Sequence, residues 1–219
     1  MNNNERGAFM EITWLGHSSF LLEDSKGRKV LMDPFDESVG YPVFEGEVDI
    51  VTISHYHFDH SYTEKVKFSH IADKAGFFYL CDIPVAGIPS YHDKMQGAKR
   101  GENMIFIVEM DGYRICHLGD LGYILSAEEI KSLGKVDILL IPIGGNYTID
   151  GKEASKLAHS INSPLIIPMH YNTPMLSFQL DGLENFLTYM KNGEKVGSNK
   201  LSIEGPLEGE NQVKILNYK

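Results

Sequence analysis

Cysteine is scarce in this sequence of 219 residues, and the two that occur, Cys81 and Cys116, lie in apolar runs without CxxC spacing. This pattern argues against a disulfide framework and predicts buried thiols in a reducing compartment. Long apolar runs are missing too, since none approaches the ~18 residues that cross a bilayer. The start, "MNNNERGAFM", lacks the basic and apolar regions of a signal peptide. We therefore expect a cytoplasmic protein with no membrane partner.

Positive charge is also in short supply. The chain has 20 lysines and arginines against 30 aspartates and glutamates, which gives a formal net charge of −10. This balance disfavours non-specific binding to nucleic acids, and no basic or aromatic segment is appended that would bind them. The chain also lacks a G-x-S-x-G elbow, a reactive-cysteine signature, a P-loop and a G-x-G-x-x-G after a strand. A serine or cysteine nucleophile is therefore not indicated.

The segments that are present predict a layered protein. No repeat, low-complexity block or long linker interrupts residues 1–219, so we expect a single domain. The segment "NMIFIVEMDGYRICHLG" predicts a hairpin, because Asp111-Gly112 supplies a tight turn between two apolar strands. Apolar alternation or continuous apolar runs predict further strands in "FMEITWLG", "SSFLLED", "RKVLMD", "VDIVTIS", "VDILLIPIGG" and "PLIIPMH", and two more in the tail "NKLSIEGPLEGENQVKILNYK".

Helices are predicted between these strands, from residue pairs with N-cap to N3 spacing and from glycines at the C-terminal ends. The pairs are Ser61 with Glu64, Ser126 with Glu129, Asp150 with Glu153 and Asp181 with Glu184, and the glycines are Gly76, Gly134 and Gly193. Buried strands, antiparallel strands and interspersed helices together predict an α/β (α+β) protein whose sheets are covered by helices.

The most informative stretch is "SHYHFDH", which holds three of the nine histidines of the chain. It lies between a predicted strand and the helix predicted from Ser61, where side chains can converge on one point outside the sheet. His55, His57, Asp59 and His60 supply imidazole and carboxylate groups. These ligands suit zinc, manganese or iron, with zinc the default for histidine-rich sites.

Three isolated residues of ligand type follow further along the chain. Asp120 comes directly after the second strand of the predicted hairpin, and His170 ends a buried strand. His92 follows a loop broken by proline and glycine. A metal site predicts such additional ligands, whereas a histidine-rich surface loop that binds nothing does not. The sequence therefore predicts one pocket that collects all of these side chains.

Six motifs carry a family resemblance, and they occur in the family's order over residues 13–173: "TWLGHSSFLLE", "LMDPF", "SHYHFDH", "HLGD", "LLIPIGGNYTID" and "IIPMHYNT". They resemble the metallo-β-lactamase superfamily, and within it a small cytoplasmic metal-dependent hydrolase branch similar to ascorbate-6-phosphate lactonase. The resemblance implies a four-layer αββα sandwich with two metal ions at one edge of its sheets. The implied ligands are His55, His57 and His92 for the first metal, and Asp59, His60 and His170 for the second, with Asp120 bridging.

The implied reaction is metal-assisted hydrolysis. A metal-bound hydroxide attacks a lactone, ester or phosphoester bond of a small molecule, and Asp59 and Asp120 are the predicted catalytic carboxylates. Two divalent metal ions are expected, with zinc the default and manganese or iron as alternatives. Other functions stay open: an iron-dependent oxidoreductase or dioxygenase, a nuclease or phosphodiesterase, or a sensor that binds metal without turnover. The di-iron branch usually has a glutamate in place of His57, which counts against that alternative.

Residues around the implied centre receive weaker assignments. Asp33 and His17 could orient a ligand histidine, with a structural role an equal alternative. Arg100 could hold a substrate carboxylate or phosphate, although a solvated charged loop is favoured. Tyr147, after Gly144-Gly145, could donate a hydrogen bond to substrate or instead pack on the sheet.

Several further residues are assigned to walls, packing or assembly. Tyr56 and Phe58 are predicted to narrow one wall of the site. His117 and Trp14 are expected in the core, and His70 and His159 in helices. Relatives of this family often assemble into oligomers, so a homo-oligomer stays open, although no stretch of the sequence marks an interface.

Overall fold

The computed structural model of the chain describes residues 9–218, and most of the start that bears on a signal peptide lies outside them. Two mixed β-sheets face each other across one apolar core. Trp14, Phe20 and Phe106 come from both sheets and are almost fully buried in this core. No helix within the described residues is long and apolar enough to cross a membrane.

The first sheet has the spatial order β13-β1-β2-β3-β4-β5. Its strands are β1 (Met10–Gly16), β2 (Ser19–Glu23), β3 (Lys29–Met32), β4 (Gly46–Thr52), β5 (Val66–Ala72) and β13 (Lys200–Ile203). The pairs β1–β2 and β2–β3 are antiparallel, and β3–β4 is parallel. As a result β1, β3 and β4 all run in the same direction and end at the same edge.

The second sheet has the spatial order β12-β14-β11-β10-β9-β8-β7-β6. Its strands are β6 (Gly76–Leu80), β7 (Ile83–Tyr91), β8 (Glu102–Met110), β9 (Tyr113–His117), β10 (Ile138–Pro142), β11 (Leu165–Met169), β12 (Gly193–Lys195) and β14 (Gln212–Ile215). The pairs β7–β8 and β8–β9 are antiparallel, whereas β10 is parallel to β9 and to β11. Thus β7, β9 and β11 also share one direction.

Within residues 9–218, three α-helices accompany the sheets: α1 (Ala127–Leu133), α2 (Gly151–Ile161) and α3 (Leu183–Met190). Predicted capping boxes are confirmed at α1, where Ser126 and Glu129 bond reciprocally, and at α2, where Asp150 and Glu153 do. Helix α2 packs against α3 and β10. The predicted strands of the first half, the hairpin, the two buried strands and the two tail strands are likewise confirmed, and so is the α/β (α+β) class.

The helix predicted from Ser61 is wrong, because the chain there forms strand β5. Val51 of β4 pairs in parallel with Ile71 of β5, so backbone pairing with the sheet edge overrides the local capping signal. His70 accordingly lies exposed on a strand and not in a helix, whereas His159 lies in α2 as predicted.

Other boundary predictions fail near the glycines. Gly76 begins β6 and Gly193 begins β12, so neither follows a helix directly. Gly182 stands at the N-cap of α3 without a side-chain bond, so Asp181 does not cap it, whereas Gly134 does end α1 as predicted.

The predicted loop before His92 is also a strand. In β7 the buried positions Ile83, Val85 and Gly87 alternate with more exposed ones that include Pro84, and the alternation shifts by one residue at the exposed Pro89. This period of two was present in the sequence but was hidden by the two prolines and the glycine. The strand delivers His92 directly to the edge where β9 and β11 also end.

The two cysteines differ in their surroundings, although both are free thiols. Cys116 is completely buried in β9, as predicted, and burial raises the pKa of its thiol to about 12. Cys81 lies in the turn between β6 and β7, only partly buried and with a left-handed φ of 48°, so its predicted burial is wrong.

Candidate metal centre

The seven predicted ligands converge where the carboxyl ends of both sheets meet. A loop after β4 holds four of them, and the other three lie within three residues of the ends of β7, β9 and β11. These residues are His55, His57, Asp59 and His60 in the loop, and His92, Asp120 and His170 at the strand ends. The structure therefore brings together side chains that are up to about half the chain apart in sequence.

Asp120 lies at the middle of the cluster. Its Oδ1 is 3.3 Å from Nε2 of His60, and its Oδ2 is 3.2 Å from Nε2 of His92 and 3.1 Å from Nε2 of His170. Its own backbone N–H donates to Oδ1 of Asn103 at 2.9 Å. Burial alone would raise the pKa of this carboxyl, but His170 and His60 hold it well below its usual range. Asp120 is thus an ionised acceptor surrounded by imidazole nitrogens.

His55, His57 and His92 form a compact group of three imidazoles, with donor nitrogens within 4.8 Å of one another. The ring centroid of His55 is 4.5 Å from that of His57 and 4.8 Å from that of His92. Burial, followed by the charge of His60, lowers the pKa of His55 to about 3. His55 is therefore neutral near pH 7, which is the form of imidazole that binds a metal ion.

Asp33, at the end of β3, orients two of the imidazoles. Its Oδ2 lies 2.9 Å from Nδ1 of His60 and accepts a hydrogen bond from Oγ of Ser54 at 2.5 Å. Ser54 Oγ in turn lies 2.9 Å from Nδ1 of His55. With the hydroxyl donating to Asp33, this oxygen accepts from His55. In the neutral form that binds a metal ion, both rings then carry their proton on Nδ1 and present the lone pair of Nε2 to the centre.

Buried polar atoms of the cluster test whether it suits a metal ion. Within the described part of the chain, His55 Nε2, His60 Nε2 and Asp120 Oδ1 make no hydrogen bond, and neither do Nδ1 of His92 and of His170. His60 Nε2 and Asp120 Oδ1 lie 3.3 Å apart without forming a well-aligned hydrogen bond. Buried polar atoms are normally bonded, so such orphans indicate an absent partner. Nitrogen and carboxylate oxygen are ligands that zinc accepts, and one ligand atom each from His55, His60 and Asp120 lies within 4.8 Å of the others. The cluster fits a divalent metal.

His17 lies next to three of the predicted ligands, Asp59, His60 and His170. The sequence left open whether His17 orients a ligand or only packs in the core. Its Nε2 is 3.1 Å from Oδ2 of Asp59, and ligand nitrogens of His17, His60 and His170 lie within 4.8 Å of one another. Burial, and then His170, lowers the pKa of His17 to about 4. A signal for this placement was available: His17 follows β1, which ends at the same edge as β3 and β4.

Two glycines allow the backbone to close around the cluster. Gly119 precedes Asp120 with a φ of +56°, and a Cβ there would lie 2.3 Å from Oδ1 of Asn103. A Cβ on Gly144 would lie 2.1 Å from the carbonyl oxygen of His170. Gly144 therefore serves to pack its loop against the end of β11. The N–H of Gly145 donates to Ile149 O at 3.2 Å within the loop, and not to a ligand.

A cavity of about 340 Å³ opens above the metal-centre residues. Phe58 forms part of its wall, as predicted, whereas Tyr56 points its hydroxyl at Asp73 with an O···O distance of 2.5 Å. Tyr147 and Phe178 also line the cavity, with ring centroids 6.2 Å apart. Phe178 was missed because its segment carries no motif and forms no helix or strand.

Two core residues behave as the sequence predicts. His117 is completely buried, with Nε2 2.8 Å from Ser18 O and Nδ1 accepting from Gly119 N at 3.1 Å. Trp14 is buried and donates from Nε1 to His17 O at 3.0 Å. Since both ring nitrogens of His117 are bonded, it stands apart from the orphaned nitrogens of the cluster.

Comparison with known proteins places the chain in a family. The family model described as "Beta-lactamase superfamily domain" matches residues 11–170. A Thermotoga maritima structure, assigned to the Zn-dependent hydrolases of the metallo-β-lactamase superfamily, superimposes with a TM-score of 0.82 and 35% identity, covering 96% of this chain and 100% of that one. The chain belongs to the metallo-β-lactamase superfamily. The predicted superfamily and its sandwich fold are thereby confirmed.

Sequence relatives of the chain are metal-dependent hydrolases. A metal-dependent hydrolase of Methanoregula boonei is 35% identical over 193 residues, which cover 75% of this chain and 83% of the relative. A metal-dependent hydrolase of Archaeoglobus fulgidus is 32% identical over an alignment of 234 positions, which covers 87% of this chain and all of the relative. Within the metallo-β-lactamase superfamily, the chain therefore belongs with the metal-dependent hydrolases.

Proposed function

We propose that this protein hydrolyses a lactone, ester or phosphoester bond of a small molecule at a centre of two zinc ions. The observation that carries the proposal is Asp120, whose carboxylate has Nε2 of His60, His92 and His170 at 3.1 to 3.3 Å. One carboxylate between two sets of imidazoles is the arrangement that a bridging ligand requires. His55, His57 and His92 form one set and Asp59, His60 and His170 the other, as the superfamily resemblance implies.

Two divalent metals in such a site make a strong nucleophile of water at neutral pH and polarise the substrate oxygen. The chain's own residues prepare for this chemistry. Asp33 and Ser54 fix the ring orientation of His60 and His55, so that little reorganisation accompanies binding. Asp59 lines the cavity, and burial would raise its pKa, but the hydrogen bond with His17 holds it well below the usual range. We assign Asp59 to orienting the attacking water as well as to metal binding.

The cavity supports a small substrate. A volume of about 340 Å³ is at the lower end of the range for ligand pockets. Aromatic side chains form its walls, and the metal-centre residues form its floor. Both cysteines are free thiols, which suits a reducing compartment, and we place the enzyme in the cytoplasm.

The test combines metal analysis with a substrate panel of lactones, 4-nitrophenyl esters and bis-4-nitrophenyl phosphate. We expect two zinc ions per chain and hydrolysis that chelators abolish. Asp120→Asn should lose bound metal and lower the rate by at least about 10³-fold. Asp73→Asn is the matched control, since this half-buried carboxylate accepts a hydrogen bond from Tyr56 and has no contact with a predicted ligand.

Two results would contradict the proposal. Asp120→Asn with unchanged metal content and activity would remove the bridging role. One iron per chain, with thiol-dependent oxygen uptake and no hydrolysis, would replace the hydrolase by the dioxygenase alternative.

A further inference from the structure

Arg100 is the one lysine or arginine among the described residues that line the cavity. The rest of the lining consists of metal-centre residues and of three aromatic side chains, Phe58, Tyr147 and Phe178. The sequence favoured a solvated charged loop for Arg100. Arg100 lies in the cavity wall, beside the site of the proposed reaction.

The guanidinium of Arg100 is held in place on one face only. Its Cζ lies 4.5 Å from the ring centroid of Tyr147, and its Nη2 donates to Asn146 O at 3.3 Å. Tyr147 itself packs edge-to-face on Phe178. Within residues 9–218 the other N–H groups of the Arg100 guanidinium have no hydrogen-bond acceptor. A stacked guanidinium with spare donors is a ready site for a carboxylate or phosphate.

The loop that carries Arg100 is tied around the carboxylate of Asp93. Oδ1 accepts from the backbone N–H of Met95 at 2.7 Å and of Gly97 at 3.2 Å. Oδ2 accepts from the backbone N–H of Lys99 at 2.9 Å and of Arg100 at 2.8 Å. Because Asp93 directly follows His92, these four hydrogen bonds fix the backbone of Arg100 relative to a metal-centre residue.

We propose that Arg100 binds an oxyanionic group of the substrate, so that the natural substrate is a small anionic ester, lactone or phosphoester. Its apolar part packs against Phe58, Tyr147 and Phe178, and its reactive bond lies over the metal-centre residues. This inference rests on the proposed function for the bond that is broken. The preference for an anionic substrate has a separate basis. The positive charges of Arg100 and of the proposed metal ions raise the local concentration of anions at the cavity, although the chain as a whole is acidic.

The test uses two esters with the same leaving group, neutral 4-nitrophenyl butyrate and anionic mono-4-nitrophenyl glutarate. Arg100→Gln should lower kcat/KM for the glutarate ester by about 10- to 100-fold, as expected for a lost hydrogen bond between charged groups. The same variant should leave the butyrate ester nearly unchanged. Arg100→Lys should recover part of the loss, since it keeps the charge without the planar fork. Lys99→Gln, an exposed neighbour on the same loop, is the matched control.

Binding measurements identify the anion and keep the test independent of turnover. Glutarate and inorganic phosphate are titrated by calorimetry into metal-loaded wild type and Arg100→Gln, and the anion whose affinity falls in the variant is the one that Arg100 recognises. The assignment of Arg100 would be overturned if the substitution changed neither the affinity for glutarate nor the affinity for phosphate. It would also be overturned if Arg100→Gln lowered kcat/KM for both esters by the same factor. If no ester is hydrolysed, the proposed function fails, yet these titrations still decide the anion site.

Discussion

His17 Nε2 lies 3.1 Å from Oδ2 of Asp59, although 42 residues separate them in the chain. The contact joins the turn between β1 and β2 to the histidine motif after β4. His17 is completely buried, and its φ of 50° lies in the left-handed region, which is uncommon for a residue other than glycine. The backbone is therefore shaped to bring this ring to the Asp59 carboxylate.

His17→Gln should weaken the binding of one of the two proposed metal ions. The variant loses the ring that fixes the Asp59 carboxylate and that lies among His60 and His170. We expect about 10- to 100-fold lower affinity for that ion, measured by competition with a chelator of known affinity. His159→Gln in α2 is the control, because His159 Nδ1 lies 2.6 Å from Ser155 O, away from the centre. Unchanged affinity for both ions would show that His17 only fills space.

Asp33→Asn should lower zinc affinity without unfolding the protein. The amide keeps the shape of the side chain but removes the charge that faces His60 Nδ1 at 2.9 Å. Loss of such a partner typically costs about 10- to 100-fold in metal affinity or activity. Activity should return at high zinc concentration, which distinguishes weak binding from misfolding. If Asp33→Asn titrates with zinc like the Asp73→Asn control, the proposed orientation of His60 is wrong.

Metal-free protein should lose stability as the pH falls from about 6.5 towards 4. Burial, and then His170, lowers the pKa of His17 from 6.5 to about 4. In this window the unfolded imidazole binds a proton and the folded one does not, so the free energy of unfolding rises with pH. His17 alone contributes on the order of 3 kcal/mol, which is fully present above pH 6.5 and lost near pH 4.

His60 does not reverse this trend. Burial alone would lower its pKa, but Asp120 and Asp33 raise it well above 6.5, so its contribution is complete and constant below that pH. Urea denaturation of chelated protein between pH 7 and 4.5 measures the slope. His17→Gln should flatten it. A wild-type midpoint independent of pH over this range would contradict the burial of neutral histidines.

The sequence motifs and the family resemblance predicted that these side chains lie together, and the directions of the strands explain why they do. Each ligand follows a strand, and every one of these strands except β7, before His92, was recognisable as an apolar segment. Strands that share a direction end at one edge. His17 obeys the same rule, so its closeness to the centre could have been predicted from the direction of β1. The walls of the cavity follow no such rule. Phe178 and Arg100 lie on segments without helix or strand, and only tertiary packing brings them to the centre.

Local signals failed where backbone pairing competed with them. Ser61 and Glu64 have capping-box spacing, yet the following residues add a parallel strand to β4. Parallel pairing joins residues that are distant in sequence, so no local pattern reports the gain in hydrogen bonds. The same holds for β7, whose prolines conceal an alternation that is visible once β8 is known to lie beside it.

Helix caps allow a direct comparison between a capping signal that forms in the structure and one that does not. Asp150 accepts from the N–H of Glu153 at 2.8 Å and caps α2, whereas Asp181, with the same spacing to Glu184, does not cap α3. Asp150→Ala should destabilise the protein by about 1 kcal/mol. In a chain of this size that lowers the Tm by about 2 to 4 °C. Asp181→Ala should remain within about 0.5 kcal/mol of wild type, as an exposed substitution without such a bond. Thermal unfolding of both variants in the metal-free form separates the two cases, and equal losses would show that spacing alone, and not the observed bond, sets the contribution of the cap.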